Sequence, residues 1–488
     1  MTATEVLSAR EAIAGLPGET SDGAPPPRAA EVYLPRSHLR AMHPDSLLVT
    51  GMRGAGKTFW WSALQESSVR DLVGRLADTP TSRMLSEKTD VHAGFGFRPA
   101  PDAYPGKDSI SGLTRDGVEP RVVWRTVYAR HLAPEVHPLR ARPTWRERVA
   151  YVADHPEPIE RLLYERDAEL DAQGVHFLVL FDALDRSADD WQDLSRNVRG
   201  LLQTALDLRA YRRLRVKIFL RSDQFDDRTF TDFPDASKLL ASSVALNWPR
   251  HELYGLFWHY LVNRPEGDLF RNMLDSGGWP PVEAGGQSVY TVPRPLVFGE
   301  ERQRKKFHLI AGRWMGTDRR RGFPYTWIPN HLGDTEGKVS PRSFLAALRA
   351  AAVDTAERRP EYPYALHYDS IKRGVQAASE IRVNEVQEDY PWMHQVLSPL
   401  RGMSVPCDFE EIAACWQREG VLDHLADRMQ QDDVKLPPRH IDQGPDGVRR
   451  DLEALRVFYR LFDGRVNIPD VFRVGYGLGR KGGVKPVK

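Results

Sequence analysis

Residues 47–64 read LLVTGMRGAGKTFWWSAL, and no other stretch restricts the fold so sharply. An apolar run enters a glycine-rich turn, and a lysine and a threonine then open an apolar helix. The turn matches G-x-x-x-x-G-K-[ST] in full, with Gly51, Gly56, Lys57 and Thr58 at its fixed positions. Glycines let successive backbone N–H groups converge on an anion at a helix N-terminus, where the helix dipole also favours negative charge. The lysine of such a loop reaches the outer phosphates of a nucleotide, and the threonine hydroxyl helps to hold Mg²⁺. Ser46–Thr50 is predicted as a short buried strand and Thr58–Gln65 as a helix, the setting that the loop requires. The expected phosphate-contacting set is Gly51, Arg53, Gly54, Ala55, Gly56, Lys57, Thr58 and Phe59. The competing reading is a glycine turn with an incidental lysine.

A second anchor follows at VHFLVLFDALDR, Val175–Arg186. Its continuous apolar run predicts a strand buried in a parallel sheet, with Asp182 at its carboxyl end. A carboxylate there would meet the Mg²⁺ held through Thr58, so the metal set is Thr58 and Asp182. Asp185, three positions on, is expected to orient or activate an attacking water, or else to be an N-cap or turn former. Arg215–Leu220, in RVKIFLRSD, is predicted as another strand that leaves Arg221 at its carboxyl end, where open parallel sheets bind ligands. Arg221 would then sense a γ-phosphate; alternatively it is a surface arginine paired with Asp223 or Asp226. In GKVSPRSFLAALRAAA, Ser340 caps a helix with Pro341 in its first turn. Arg342 would project from that turn toward a nucleotide, or mark a plain helix start.

The 488 residues suffice for two to four domains, and a net charge of +1 advertises no global field for nucleic acid or membrane. Two cysteines, Cys407 and Cys415, fit a reduced cytoplasmic protein with core thiols. No apolar run reaches the length of a membrane span, so no membrane partner is expected. Residues 1–33 contain little apolar surface and end in a Gly/Pro-rich stretch, which predicts a mobile, disordered tail. Leu76–Glu119 reads as an irregular insertion, followed by helical patterns at Arg121–His131 and Thr144–Ala172, the latter interrupted near Pro156 and Pro158. Basic clusters at Arg302–Lys306 and Arg319–Arg321 flank aromatics; they are solvated flanks of a packed element or a nucleic-acid patch. Beyond Tyr364 helices are expected at 370–386, 390–400, 409–419 and 452–462. A glycine-rich ending with Arg473, Arg480, Lys481, Lys485 and Lys488 follows, able to touch a phosphate backbone or to fray as an ordinary terminus.

The order GMRGAGKT, LVLFDALDR, KIFLRSD and SPRSFLAAL resembles the Walker A, Walker B, sensor-1 and lid-arginine series of the additional-strand, AAA+-related P-loop ATPases. The hhhhDxxD form of the second motif is more similar to STAND and KAP-type ATPases than to processive AAA+ motors, whose Asp-Glu pair would put glutamate at Ala183. The resemblance spans Val32–Ala356. It implies an α/β fold: a P-loop NTPase parallel-sheet core at 34–250 with an insertion at 76–172, a helical lid at 251–358, and a mainly helical, winged-helix-like domain at 359–488. It also implies ATP and Mg²⁺ as ligands and slow hydrolysis that drives a switch, of a kind common in bacterial conflict and anti-phage systems. Neither a repeat array nor a fused effector is recognisable, so self-association or a separately encoded effector protein is the expected output. The alternative is a DNA-binding ATPase that acts through the C-terminal winged helix and basic tail. A third reading is a binding scaffold with little turnover, in keeping with Ala183.

Overall fold

The computed structural model describes residues 1–18, 25–77, 84–85, 88–222, 228–274, 278–431, 434–480 and 484–486, with backbone only at 228 and 229. The chain divides into two compact units. One comprises Ser21–Asn247 with Val282–Val289; the other comprises Met1–Thr20, Trp248–Pro281 and Tyr290–Lys488. Among the described residues no helix is long and apolar enough to cross a membrane.

The first unit is built on a parallel sheet of β1 (Leu48–Gly51), β2 (Thr89–Phe95), β3 (His176–Phe181), β4 (Leu214–Arg221) and β5 (Val244–Ala245). The strand order is β2-β3-β4-β1-β5, and each adjacent pair is parallel. All six residues of β3 and all four of β1 are buried, as strands covered on both faces must be. β4 lies between the strand of the phosphate loop and the strand that ends at Asp182, so the two motif strands are separated by one additional strand. Helix Pro120–Leu132 and helix Trp191–Leu208 approach closely, because Gly200 faces the Pro120–Arg121 backbone and a Cβ there would lie 2.7 Å from the Arg121 nitrogen. Trp124 completes the contact by donating to the Asn197 carbonyl at 2.8 Å.

Two features of this unit depart from the expected pattern. The segment read as an irregular insertion contributes β2 and helix Lys107–Arg115. Its strand signal is broken by Gly94 and Gly96, which packing requires: a Cβ at Gly94 would sit 2.4 Å from the Phe181 ring, and one at Gly96 would sit 2.2 Å from the Trp61 ring. Lys217, in the middle of β4, is completely buried. Its ammonium donates to the carbonyls of Ala41, His43 and Ser46 at 2.7–2.8 Å, which fastens the segment before β1 to the sheet. Burial pushes the Lys217 pKa down to about 7.

The second unit is almost entirely helical. The expected disordered tail instead begins with helix Ala3–Ala14, opened by a capping box of Thr2 and Glu5. Arg10, 3% exposed, donates to the carbonyls of Pro360, Tyr362, Tyr364 and Ala365, and so provides the anchor that hydrophobicity did not reveal. The expected boundary at 358/359 falls between two helices. Helices Pro341–Arg358 and Tyr368–Asp389 pack so closely that a Cβ at Gly374 would lie 2.2 Å from the Ala347 carbonyl oxygen. The helix expected at 452–462 ends at Ala454, and Tyr459–Arg460 pairs antiparallel with Val466–Asn467. Both cysteines are buried free thiols.

Candidate functional site

The loop between β1 and helix Lys57–Ala63 takes the shape its glycines permit. Gly54 and Gly56 have φ of 78° and 100°, in the left-handed region that side chains with a Cβ rarely adopt. Gly56 caps the helix, and the volume a Cβ would occupy there is open. Lys57 folds back over the loop, donating to the carbonyls of Gly51 and Met52 at 3.0 Å each. Thr58 is exposed at the helix start, whereas Ala55 is fully buried beneath it. Phe59 is half-buried with its ring edge-on to Trp60, and Trp60 donates to His38 Nδ1 at 3.1 Å. His38 Nε2 faces the Asn247 carbonyl at 3.2 Å, and burial lowers the His38 pKa to about 3, so the ring is neutral. His38 thus ties the segment before β1 to the phosphate-loop helix; the sequence offered no pattern to single it out.

Asp182 lies just past β3, where its backbone N–H bonds the Phe95 carbonyl of β2 at 3.0 Å. Its carboxylate is 2% exposed and accepts from the Thr58 hydroxyl and the Ala183 N–H, while Oδ2 has no partner. Burial raises the Asp182 pKa to about 6, with a smaller push from Asp185; the Thr58 hydrogen bond, Lys57 and the Ala183 amide act in the opposite sense. Ala183 itself holds φ 53° and ψ 36°, a left-handed conformation unusual for a residue with a Cβ, and it starts the turn Leu184–Arg186. Asp185, on that turn, is half-buried. Arg221 ends β4 in register with Gly51 and is 9% exposed. Asp223 and Asp226, its alternative partners, lie outside the described residues.

The fold therefore gathers the phosphate loop, Asp182, Asp185 and Arg221 at the carboxyl ends of β1, β3 and β4. Arg342 belongs to the other unit. Ser340 caps its helix by accepting from the Ser343 N–H, and the Arg342 guanidinium is ion-paired with Glu385 of the neighbouring helix. Glu385 also receives Arg382 at 3.2 Å. The sequence reading missed the loop after β2. Phe97 lies there with the Arg186 guanidinium 3.7 Å above its ring, which brings that loop to the Asp182 turn.

Among the described residues there is no cluster of three or more His, Cys, Asp or Glu able to hold a metal by protein ligands alone. Mg²⁺ has no need of one, because it keeps waters and phosphate oxygens and takes one or two protein ligands. The unpartnered Oδ2 of Asp182, adjacent to the Thr58 hydroxyl, fits such an ion. No family model matches the sequence, and no curated protein matches it. Among solved structures the chain is similar to the Aeropyrum pernix ORC2 protein, determined as ADPNP–ADP complexes, with a TM-score of 0.40 and 12% identity over 92% of this chain and 93% of that one. It is also similar to Cdc6p from Pyrobaculum aerophilum, with a TM-score of 0.27 and 12% identity over 87% and 83%. With TM-scores and identities this low, the nucleotide reading rests on this chain's own geometry.

Proposed function

We propose that the chain binds and slowly hydrolyses ATP and acts as a nucleotide-controlled switch. The observation that carries this reading is the buried Asp182 carboxylate with one oxygen unpartnered, hydrogen-bonded to the threonine of a complete phosphate loop. Leaving a buried carboxylate oxygen without a donor costs stability, and a site that binds a cation recovers it. Gly51–Thr58 would surround the phosphates with backbone N–H groups, and Lys57 would exchange its two loop carbonyls for phosphate oxygens. A divalent ion at Thr58 and Asp182 would supply neutralisation of the phosphate charge. Asp185 would accept a proton from the attacking water, and Arg221 would steady the γ-phosphate from the rigid end of β4. Arg342 would report on the γ-phosphate only after giving up Glu385, and that ion pair would then gate the switch.

The likeness of LVLFDALDR to STAND-type motifs supports a role in bacterial conflict or anti-phage defence, with output through self-association or a separately encoded effector. The test is particle size and protease sensitivity of nucleic-acid-free protein with ATP, ADP or neither. A change seen with ATP alone supports the switch, and identical behaviour in all three rejects it.

A DNA-binding ATPase is the second reading. Three helices, Phe409–Arg418, Val421–Gln430 and Gly444–Ala454, precede the short hairpin at 459–467, the element order of a winged helix. Phe462, at the hairpin tip, is fully exposed. The basic tail supports this reading less than its composition suggests. Arg473 is completely buried, bonded to Asp470 and to the carbonyls of Leu478 and Val484, and Arg480 leans on the same Asp470 at 3.4 Å. Lys481 and Lys488 lie outside the described residues.

A further inference from the structure

The basic segment ERQRKKFHLIAGRWMGTDRRRGFPYTW, Glu301–Trp327, plays no part in the nucleotide site. Between residues 302 and 321 it carries eight lysines and arginines against one acid, Asp318, in a chain whose net charge is only +1. Helix Glu300–Ala311 turns Gln303, Phe307 and Ile310 into the core of its unit, where Tyr325 donates to Gln303 at 2.7 Å. After that helix the chain forms a closed loop, fastened by the Met315 N–H to the Gly322 carbonyl at 2.9 Å, with Met315 buried. At the end of the loop the turn Arg319–Arg321 exposes three consecutive arginines.

An aromatic stack makes this loop rigid. Trp314 stacks on Phe323 with centroids 4.8 Å apart, and His308 lies nearly parallel to the same ring at 5.5 Å. Arg304 sits 4.6 Å from the Phe323 centroid, and Arg313 caps Trp314 at 4.8 Å. The one acid of the turn, Asp318, accepts the Arg320 backbone N–H at 2.8 Å and offsets only one of the charges of the three arginines. Among the described residues, Arg313, Arg319, Arg320 and Arg321 form no ion pair with a carboxylate. Like charges held this close repel one another, so the arrangement gains most from an external polyanion. Guanidinium forks match phosphate geometry, and a turn already fixed by stacking loses little entropy on binding.

We propose that the Arg319–Arg321 turn, with the stacked loop that carries it, is a docking surface for the phosphate backbone of nucleic acid. The rings are spent on one another, so recognition is of backbone charge rather than of bases. The same packing disfavours a membrane surface, which requires apolar side chains that project into the interface. The turn and the hairpin tip at Phe462 belong to different elements, and neither is part of the nucleotide site.

The test is fluorescence anisotropy of the full chain with a labelled DNA duplex of about 30 base pairs and with the matching single strand, across about 50–200 mM salt. Replacing all three residues, R319A/R320A/R321A, is expected to weaken binding about 10- to 100-fold near 0.1 M salt and to lower the salt slope by about two to three. ATP affinity and the thermal midpoint should stay at wild-type values. If the triple variant does not fold, Arg320→Glu at a single exposed position should weaken binding more than Arg320→Lys. Unchanged affinity and slope would overturn the proposal, as would binding to phosphatidylserine vesicles without binding to either nucleic acid. Loss of binding in Phe462→Ala, with the arginine variants unaffected, would overturn it too while leaving the winged-helix reading intact.

Discussion

Replacing Asp182 by asparagine should stabilise the ligand-free protein and abolish its response to Mg·ATP. Burial moves the Asp182 pKa from its ordinary 3.8 to about 6. At roughly 1.4 kcal/mol per unit, holding this carboxylate ionised costs about 3 kcal/mol above pH 6. Between those two values the folded chain binds more protons than the unfolded chain, so wild-type stability rises as pH falls through 6 and the penalty is complete above it. Asparagine carries no charge and retains an oxygen to accept from Thr58, although one amide group still lacks a partner, at about 1–2 kcal/mol. The net gain is about 1–2 kcal/mol at pH 7.5, or about 2–6 °C in the midpoint of a unit this size. Thermal unfolding in chelator should therefore rank Asp182→Asn above wild type at pH 7.5, with the gap closing at pH 4.5. Saturating Mg·ATP should reverse the ranking, since ligand at about 100-fold its Kd adds about 2.7 kcal/mol to wild type alone. A variant less stable than wild type in chelator, or a gap that persists at pH 4.5, would refute the reasoning.

Asp185→Asn should bind ATP normally and turn over about 10²-fold more slowly, measured by phosphate release; unchanged turnover would move the base elsewhere. Arg342→Ala should lose affinity for ATP and the ATP-dependent change in protease sensitivity near residues 356–370, whereas Glu385→Gln should increase the preference for ATP over ADP severalfold. If Arg342→Ala retains wild-type protection, Arg342 belongs only to a helix start. Lys217→Met should destabilise the protein by about 3–5 kcal/mol in urea, because it strands three buried carbonyls; a loss below about 1 kcal/mol would contradict the role of that ammonium as a staple.

The parts of the site that repeat a local rule were legible in the sequence. The strand–loop–helix at 47–64 and the apolar run ending at Asp182 announce themselves through residue order, because a phosphate loop and a doubly covered strand each constrain neighbours along the chain. β2 was hidden for a physical reason: Gly94 and Gly96 interrupt its pattern to admit the rings of Phe181 and Trp61. The N-terminal helix was hidden because its decisive anchor is a polar one, the four carbonyls that receive Arg10. Arg473 shows the converse, a cation that composition assigns to a basic tail and packing assigns to the core. His38, Lys217 and the Arg342–Glu385 pair depend on contacts between distant segments, which no local pattern encodes.

The central claim is that Lys57 and Asp182 form one Mg·ATP site, and calorimetric titration of Mg·ATP into wild type, Lys57→Ala and Asp182→Asn tests it most directly. The account predicts saturable binding of about one ATP per chain to wild type, no tight binding to Lys57→Ala, and only weak binding to Asp182→Asn that Mg²⁺ does not strengthen. Wild-type affinity in Lys57→Ala, or an unaltered Mg²⁺ dependence in Asp182→Asn, would contradict it.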